Sequence, residues 1–219
     1  MQKSDILPRP KKSFYSVCIK RILDIVLSGV AIVILSPLLL VIGVLELVFH
    51  GWPIIYKQKR TGLNGEEFYI HKFRSMTNET GKNGELLADD KRLTSFGRML
   101  RRFSIDELPE LFSIFAGKMS IIGPRPLLPK YLDRYTQRHR MRLSVRPGLA
   151  LVSLKPLKTW SWNDQFENDI FYIENISFLL DVRMLFAVAK EALRGSEYRV
   201  EATREEYMGD NLNSDVRHI

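Results

Sequence analysis

The sequence is nearly devoid of cysteine and lacks the common nucleotide-binding motifs. Its single cysteine, Cys18, excludes an intrachain disulfide framework and favours a reducing compartment. The 219 residues contain no internal repeat, no metal-binding cysteine cluster, no Walker loop and no dinucleotide fingerprint. The enzyme classes that depend on those motifs therefore lack their signatures in this chain.

Acidic residues are outnumbered by basic ones. The chain has 25 Asp and Glu against 33 Lys and Arg, which gives a formal net charge of +8 at pH 7. Such a balance indicates an anionic partner, and nucleic acid, phospholipid and nucleotide all qualify. The length fits one domain with an attachment.

One long apolar run, Ile22 to Phe49, is interrupted by Pro37. The two arms on either side of Ser36-Pro37 are each too short to cross a ~30 Å hydrocarbon core. Basic residues flank both ends, which places both ends on the cytoplasmic side. They are Lys11, Lys12, Lys20 and Arg21 before the run, and Lys57, Lys59 and Arg60 after it. We therefore predict a re-entrant membrane helix broken at Ser36-Pro37, with a kinked single-span anchor as the alternative.

The segment Pro53 to Met76 is typical of a β-hairpin. Asn64-Gly65 favours a tight turn between two extended pieces. The period-two alternation of a strand places Lys72 and Arg74 on one face, where two cations are able to hold a diphosphate. A charged, solvated edge strand is the alternative interpretation.

The hexapeptide Ser104-Ile105-Asp106-Glu107-Leu108-Pro109 sets two adjacent carboxylates at a predicted helix start. Ser104 and Glu107 have the spacing of a capping box, although Pro109 also allows a register in which Asp106 is the cap. A helix N-terminus keeps a carboxylate ionised and attracts phosphate, as a nucleophile for phosphorus requires. A well-capped helix without catalytic function is the alternative. Arginines precede the hexapeptide, namely Arg98, Arg101 and Arg102.

Further along the chain, prolines on both sides restrict the backbone of Arg125 in Gly123-Pro124-Arg125-Pro126. Tyr131 to Arg142 is either an interfacial amphipathic helix or a solvated one. Trp160 and Trp162 fit headgroup level and core packing equally well. Ser177 to Leu193 is predicted to be a final apolar-rich helix that covers the core or lies at the membrane surface.

An ordered set of motifs resembles the bacterial sugar transferases that act as monotopic polyprenyl-phosphate phosphoglycosyl transferases. The resemblance extends from about Lys20 to Leu193. The motifs are Lys72-Phe73-Arg74-Ser75-Met76, Ser104-Ile105-Asp106-Glu107-Leu108-Pro109, Gly117-Lys118-Met119-Ser120, Gly123-Pro124-Arg125-Pro126 and Val145-Arg146-Pro147-Gly148.

This resemblance implies Mg²⁺-dependent transfer of a phosphosugar from a UDP-sugar to undecaprenyl phosphate, with UMP as the other product. It implies that Asp106 is the nucleophile of a covalent aspartyl-phosphosugar intermediate. Glu107 assists as acid or base, or with Asp106 in binding the metal. Together with the residue-level analysis, the phosphate-binding candidates are Lys72, Arg74, Arg101, Arg125 and Arg146, and Pro124 and Pro126 frame the substrate loop.

One segment departs from the family pattern. After Arg-Pro-Gly, relatives commonly continue through glycine, tryptophan and glutamine to Gly-Arg, whereas Leu149 to Thr159 is largely aliphatic here, with Lys158 near the family's arginine. This departure bears on sugar selectivity. From family habit, we expect an N-acetylated hexosamine derivative. Phe166-Glu167 and Asp169 to Tyr172 resume the pattern, and helix packing with an ion pair is the prediction for Asp169.

The predicted fold is α+β and mostly helical, with a small β-hairpin, a cytosolic helical catalytic core and interfacial helices. We divide the chain into a basic cytosolic segment (1–21), the membrane helix (22–49), the catalytic domain (50–194) and a flexible tail (195–219). The predicted location is the bacterial cytoplasmic membrane, with the active site facing the cytosol, no nucleic-acid partner and a possible homodimer. The alternative function is a membrane-anchored, non-catalytic basic scaffold that binds anionic lipid or nucleic acid.

Overall fold

The computed structural model describes residues 10–151 and 161–194. These residues are mostly helical with small sheets, in agreement with the predicted fold class. The helices are α1 (Lys20–Phe49), α2 (Asp89–Arg92), α3 (Ser95–Arg102), α4 (Glu110–Phe115), α5 (Trp162–Asn175) and α6 (Phe178–Arg194). The strands are β1 (Ile55–Thr61), β2 (Glu67–Phe73), β3 (Ser120–Ile122) and β4 (Gly148–Ala150). The predicted tail, Trp160 and most of the departing segment lie outside the described residues.

Helix α1 is continuous through Ser36 and Pro37, so the predicted interruption of the helix at this pair is wrong. Proline has no N–H, which leaves the carbonyl of Val33, four residues earlier, without its helical donor. The hydroxyl of Ser36 donates to that carbonyl oxygen at 2.8 Å. The Ser36 hydroxyl thus supplies the hydrogen bond that Pro37 cannot give to the Val33 carbonyl, as serine side chains do in apolar helices that contain proline.

Helix α1 has two different faces along its length. One face is buried against the domain, where Asp24, Ser28, Ile42 and Glu46 are covered. Further residues of this face pack against the core, namely Ala31, Ile32, Leu35, Leu39 and Leu45. The opposite face is apolar and exposed, for example at Val26, Val33, Leu40 and Val48. Among the described residues, only Tyr15–Phe49 is long and apolar enough to cross a membrane.

The predicted hairpin is present. Strands β1 and β2 pair antiparallel with Tyr56 opposite Lys72, and the turn contains Asn64 and Gly65 with φ values of 56° and 82°. Asparagine and glycine are the residues that adopt positive φ most readily. The inner face of the hairpin packs Phe68 and Ile70 against α4.

The core of the domain is closed by α5 and α6 and by a short parallel pairing of β3 with β4. Helix α5 begins with a capping box between Ser161 and Asp164. The predicted helix from Tyr131 to Arg142 is wrong: the chain forms two 3-10 segments, Pro129–Arg134 and His139–Ser144. The aromatic residues of this segment, Tyr131 and Tyr135, pack inside the protein in one cluster with Trp162. They are therefore not exposed for contact with a membrane surface.

Candidate active site

The two adjacent carboxylates lie in a 3-10 turn, Ile105–Glu107, rather than in the first turn of an α-helix. Ser104 has left-handed backbone geometry (φ 55°) and makes no side-chain cap, so the predicted capping box is wrong. Helix α4 begins only at Glu110, is six residues long and has Pro109 at its N-cap. The side chain of Glu107 is used elsewhere, in contacts with cations.

Glu107 lies between two cations from distant parts of the chain. Lys72, near the end of β2, contacts Glu107 Oε1 through Nζ at 2.6 Å, and Arg125 contacts the same oxygen at 3.0 Å. Lys72 also lies 3.3 Å from Glu110. The structure thus brings together Lys72, Glu107 and Arg125, which the sequence analysis had placed in one site.

Asp106 is buried, with 9% of the residue exposed. Burial raises the pKa of its carboxyl, and the neighbouring negative charge of Glu107 raises it further, while Lys72 and Arg101 oppose the shift. The expected helix N-terminus is absent at Asp106, which lies in the 3-10 turn, and the pKa of its carboxyl shifts upward. A carboxylate with a raised pKa is more basic, and hence a stronger nucleophile once ionised.

Arg101 is held close to the carboxylates by the packing of α3. Its Nε donates to Ser75 Oγ at 2.8 Å. Gly97, one turn earlier, allows α3 to contact the backbone of Ser75 directly, since a Cβ there would lie 1.9 Å from the Ser75 carbonyl oxygen. Thr94 caps the helix by accepting from the Gly97 N–H at 2.9 Å.

Two of the predicted phosphate-binding residues have backbone partners instead. Arg74 is buried, and its guanidinium donates to the carbonyl of Pro53 at 3.0 Å and to that of Met76 at 3.5 Å. Arg146 donates through Nε to the Gly117 carbonyl at 3.0 Å, at the end of α4. Arg74 still lines the cleft described below, whereas Arg146 is not among its lining residues.

A cleft of about 1350 Å³ contains this site. Its cations are Lys57, Arg60, Lys72, Arg74, Arg92, Arg98, Arg101, Arg102 and Arg125, and its acids are Asp89, Asp106 and Glu107. The excess of cations suits a ligand that carries several negative charges. Leu149 to Leu151, the described part of the departing segment, forms part of the wall. Pro126 lines the adjoining inner recess.

The sequence analysis missed Arg60, Tyr56 and Gln58 as lining residues of the cleft. They alternate along β1 and share a face with Lys72, because Tyr56 pairs directly with Lys72 across the hairpin. Arg60 is held by Gln58, whose Oε1 accepts from the guanidinium at 2.6 Å. The same period-two argument that selected Lys72 would have found these residues had it been applied to the first strand.

Asp106 and Glu107 are the candidate ligands for a metal ion in this cleft. Within residues 10–151 and 161–194, no three acidic, histidine or cysteine side chains form a cluster that holds a metal. Mg²⁺ is commonly bound by only one or two carboxylates together with substrate phosphates. Asp106 and Glu107 fit that pattern, because burial and the negative charge of Glu107 both raise the pKa of Asp106, and a bound cation would favour its ionised form.

Comparisons with known proteins agree with the motif analysis. Residues 15–195 match the family described as bacterial sugar transferase. The chain is 40% identical over 162 residues to an uncharacterized sugar transferase, EpsL, of Bacillus subtilis, which covers 73% of this chain and 80% of that protein. It is 34% identical over 203 residues to a UDP-N-acetylgalactosamine-undecaprenyl-phosphate N-acetylgalactosaminephosphotransferase of Aeromonas hydrophila, covering 89% of this chain and 47% of that protein.

A third relative acts on a different sugar. The chain is 33% identical over 193 residues to a UDP-glucose:undecaprenyl-phosphate glucose-1-phosphate transferase of Klebsiella pneumoniae, covering 82% of this chain and 41% of that protein. The chain thus spans less than half the length of the Aeromonas and Klebsiella proteins. The activities of these two relatives share the nucleotide and the lipid acceptor and differ in the sugar.

Proposed function

The chain belongs to the bacterial sugar transferase family, and on this premise we propose that it transfers a phosphosugar from a UDP-sugar to undecaprenyl phosphate and releases UMP. The activities of its Aeromonas and Klebsiella relatives support this reaction class. The observation that carries the proposal is a buried carboxylate, Asp106, beside a second one, Glu107, that is bound by Lys72 and Arg125 in a cationic cleft.

The proposed chemistry proceeds in two displacements. A carboxylate oxygen of Asp106 attacks the β-phosphorus of the UDP-sugar, and the bond from this phosphorus to the bridging oxygen breaks, so that UMP leaves. A phosphate oxygen of undecaprenyl phosphate then attacks the same phosphorus and breaks its bond to Asp106. The raised pKa of Asp106 supports the first step, because it indicates a basic carboxylate in a poorly solvated position.

Lys72 and Arg125 are proposed to stabilise the negative charge that develops on the phosphates. In the described structure, both cations contact the same oxygen of the Glu107 carboxylate. An incoming diphosphate exchanges this carboxylate for its own oxygens, which guanidinium and ammonium groups bind with comparable geometry. Preorganised cations of this kind accelerate phosphoryl transfer because they need no rearrangement during the reaction.

Mg²⁺ is the proposed cofactor, and Asp106 and Glu107 are the residues that would hold it together with the substrate. When bound, it supplies charge neutralisation for the leaving UMP. The residues of the cleft contribute positioning of the diphosphate.

The membrane helix is proposed to be re-entrant, with both of its ends at the same membrane face, although α1 continues through Ser36 and Pro37. The buried face of α1 extends from Asp24 to Glu46, about 33 Å of helix at ~1.5 Å per residue. A straight span would lift most of this length away from the domain, so packing along the whole helix supports a path that stays at one membrane face. The same arrangement supports an active site at the cytosolic surface, where a soluble donor and a lipid acceptor meet.

The test is UMP release from a panel of UDP-sugars by protein in nanodiscs with undecaprenyl phosphate and Mg²⁺. We expect release by wild type with at least one donor, an N-acetylated hexosamine derivative being our first choice, and none with Asp106→Asn. The exposed acid of α2 provides a matched control, Asp90→Asn, that should retain activity.

A second arm tests the covalent intermediate. Without lipid acceptor, wild type should release about one UMP per active site and carry a phosphosugar on the protein, whereas a single-step transferase should do neither. No UMP from any donor, with binding to anionic lipid that survives Asp106→Asn, would instead support the scaffold alternative.

A further inference from the structure

Arg142 is a buried cation outside the cleft, and three different groups bind it. Its Nε donates to Asp169 Oδ2 at 2.6 Å, one terminal nitrogen donates to Tyr135 Oη at 3.0 Å, and the other donates to the carbonyl oxygen of Arg125 at 2.8 Å. The side chains of Arg142 and Asp169 are 3% and 4% exposed. The guanidinium also lies over the ring of Phe166, 4.9 Å from its centroid.

The third contact connects this buried group to the active site. The Arg142 guanidinium binds the backbone carbonyl of Arg125. The side chain of Arg125 extends to Glu107 and contacts its carboxylate at 3.0 Å. The Arg125 side chain is 58% exposed, so packing around the side chain does not fix it. Pro124 and Pro126 restrict the local dihedral angles, and the segment is attached on both sides of Arg125, where Gly148 N–H donates to the Pro124 carbonyl and Thr61 N–H to the Leu127 carbonyl, each at 2.9 Å. At Arg125 itself, the hydrogen bond from Arg142 holds the backbone carbonyl.

We propose that Arg142, oriented by Asp169 and Tyr135, is a positioning residue that sets the location of the Arg125 guanidinium against Glu107 and the substrate diphosphate. This inference rests on the proposed function. Arg142 touches no substrate itself, and its effect reaches the cleft through the Arg125 backbone. Helix α5, which carries Asp169, thereby becomes part of the support of the active site although it lies away from the carboxylates.

The chain contains a matched control for this group. Arg138 and Glu167 join the same two segments as Arg142 and Asp169, and form a bidentate pair with distances of 2.8 and 2.7 Å. They are partly exposed, at 43% and 40%. Their paired hydrogen bonds run between the two side chains and do not involve the backbone of Arg125. A comparison of the two pairs therefore separates a general role in joining the segments from a specific role in positioning Arg125.

The experiment replaces each pair by apolar residues, Arg142→Met/Asp169→Leu against Arg138→Met/Glu167→Leu. Removing both partners of a buried ion pair usually preserves stability, whereas removing one leaves an unpaired charge. We expect both double variants to stay folded in nanodiscs. The first should lose about 10²-fold in kcat/KM, the cost of displacing a reacting-site group by about 1 Å, and the second should lose less than about twofold.

A single variant keeps the proposal testable if the first double variant melts early. Arg142→Lys retains the charge opposite Asp169 but lacks the planar fork that binds Asp169 and the Arg125 carbonyl together, so it should lose activity to a similar extent. Wild-type activity in either variant overturns the proposal, and so does an equal loss in the Arg138→Met/Glu167→Leu control.

Binding of UDP provides a readout that needs no turnover. The dissociation constant, measured by calorimetry, should rise about tenfold in the Arg142 variants and stay unchanged in the control pair, since Arg125 contributes a charge-assisted contact to the diphosphate. Failure of the proposed function appears as absent UMP release in wild type. Failure of the positioning role appears as unchanged UDP binding in variants that remain folded.

Discussion

The Pro-Arg-Pro segment (124–126) and the Arg-Pro-Gly segment (146–148) contact each other. Their arginines, Arg125 and Arg146, nevertheless bind different kinds of partner. The Gly148 N–H donates to the Pro124 carbonyl at 2.9 Å, and Gly148 approaches Gly123 so closely that a Cβ would lie 2.1 Å from the Gly123 nitrogen. Arg125 nevertheless points into the cleft and contacts the Glu107 carboxylate. Arg146 points to the end of α4 and contacts the Gly117 carbonyl.

The difference lies in the partner of the cation. A carboxylate neutralises an arginine and is exchangeable for a phosphate of the same charge, so a cation bound to a carboxylate in a cleft is ready for a ligand. A backbone carbonyl at a chain turn needs a donor for the fold itself, and a cation bound to it is part of the structure. Lys72 belongs to the first group and Arg74 to the second.

The largest effect is expected from the cations bound to carboxylates. Arg125→Ala and Lys72→Ala should each lower kcat/KM for UMP release by about 10²–10³-fold, as the removal of one preorganised electrostatic group does. The melting temperature should change little for Arg125→Ala, whose side chain is mostly exposed. If kcat/KM falls by less than about threefold in either variant, binding to a carboxylate rather than to a carbonyl does not identify the functional cations.

The next effect concerns Arg74, a cation bound to carbonyls that still lines the cleft. Arg74→Met should destabilise the protein by about 1–2 kcal/mol, because the carbonyls of Pro53 and Met76 lose a donor in a partly buried site. Its kcat should remain close to wild type at temperatures where the variant is folded. Thermal unfolding in nanodiscs and UMP release measured on the same preparation check both parts, and a loss of kcat without a loss of stability would move Arg74 into the first group.

A smaller effect is expected from Asp106, the acid beside these cations. Burial and Glu107 raise its pKa in the folded protein, so the folded state binds the proton more tightly than the unfolded chain. This contribution to stability is present at low pH and is lost as pH rises through the folded pKa. Asp106→Asn should therefore melt at a higher temperature than wild type at neutral pH.

The advantage of Asp106→Asn should shrink as pH falls, because wild type then regains the bound proton. Melting temperatures measured against pH check this expectation. Asp90→Asn, at an exposed acid of α2, is measured alongside as the control. A variant that melts below wild type at neutral pH would indicate that the surrounding cations outweigh the burial of Asp106.

The smallest effect is expected from Arg146. Arg146→Met removes the donor to the Gly117 carbonyl and should cost about 1 kcal/mol or less, since the site is only partly buried. Its kcat/KM should stay within about twofold of wild type. A loss on the scale expected for Arg125→Ala would return Arg146 to the substrate-binding group and remove the contrast between the two segments.

The sequence was most informative where one local rule decides the structure. The Asn64-Gly65 turn and the final helix were predicted correctly, because turn chemistry and periodicity act over a few residues. Asp169 was correctly predicted to form an ion pair within helix packing. Lys72, Asp106, Glu107 and Arg125, which the sequence analysis assigned to one site, line one cleft.

The errors arose where distant residues decide. Glu107 was predicted to cap a helix. Its carboxylate instead binds Lys72, which is 35 residues earlier in the chain, and Arg125, which is 18 residues later. The aromatic residues between Tyr131 and Arg142 were read as amphipathic, but α5 covers them. Whether an arginine meets a carboxylate or a carbonyl is likewise decided by the tertiary fold, which local sequence does not encode. The carboxylate and metal roles remain predictions.

Helix α1 and the domain constitute one cooperative unit of folding. Residues of α1 complete two hydrophobic clusters of the domain, with Ile42 beside Phe73 and Leu100 in one of them. Deleting the helix would not yield a soluble enzyme, because it would uncover these clusters and leave the backbone N–H of Ile121 without its acceptor, the Asp24 carboxylate. Membrane insertion and folding are therefore coupled during biogenesis, since one side of the helix must reach lipid while the other completes the core.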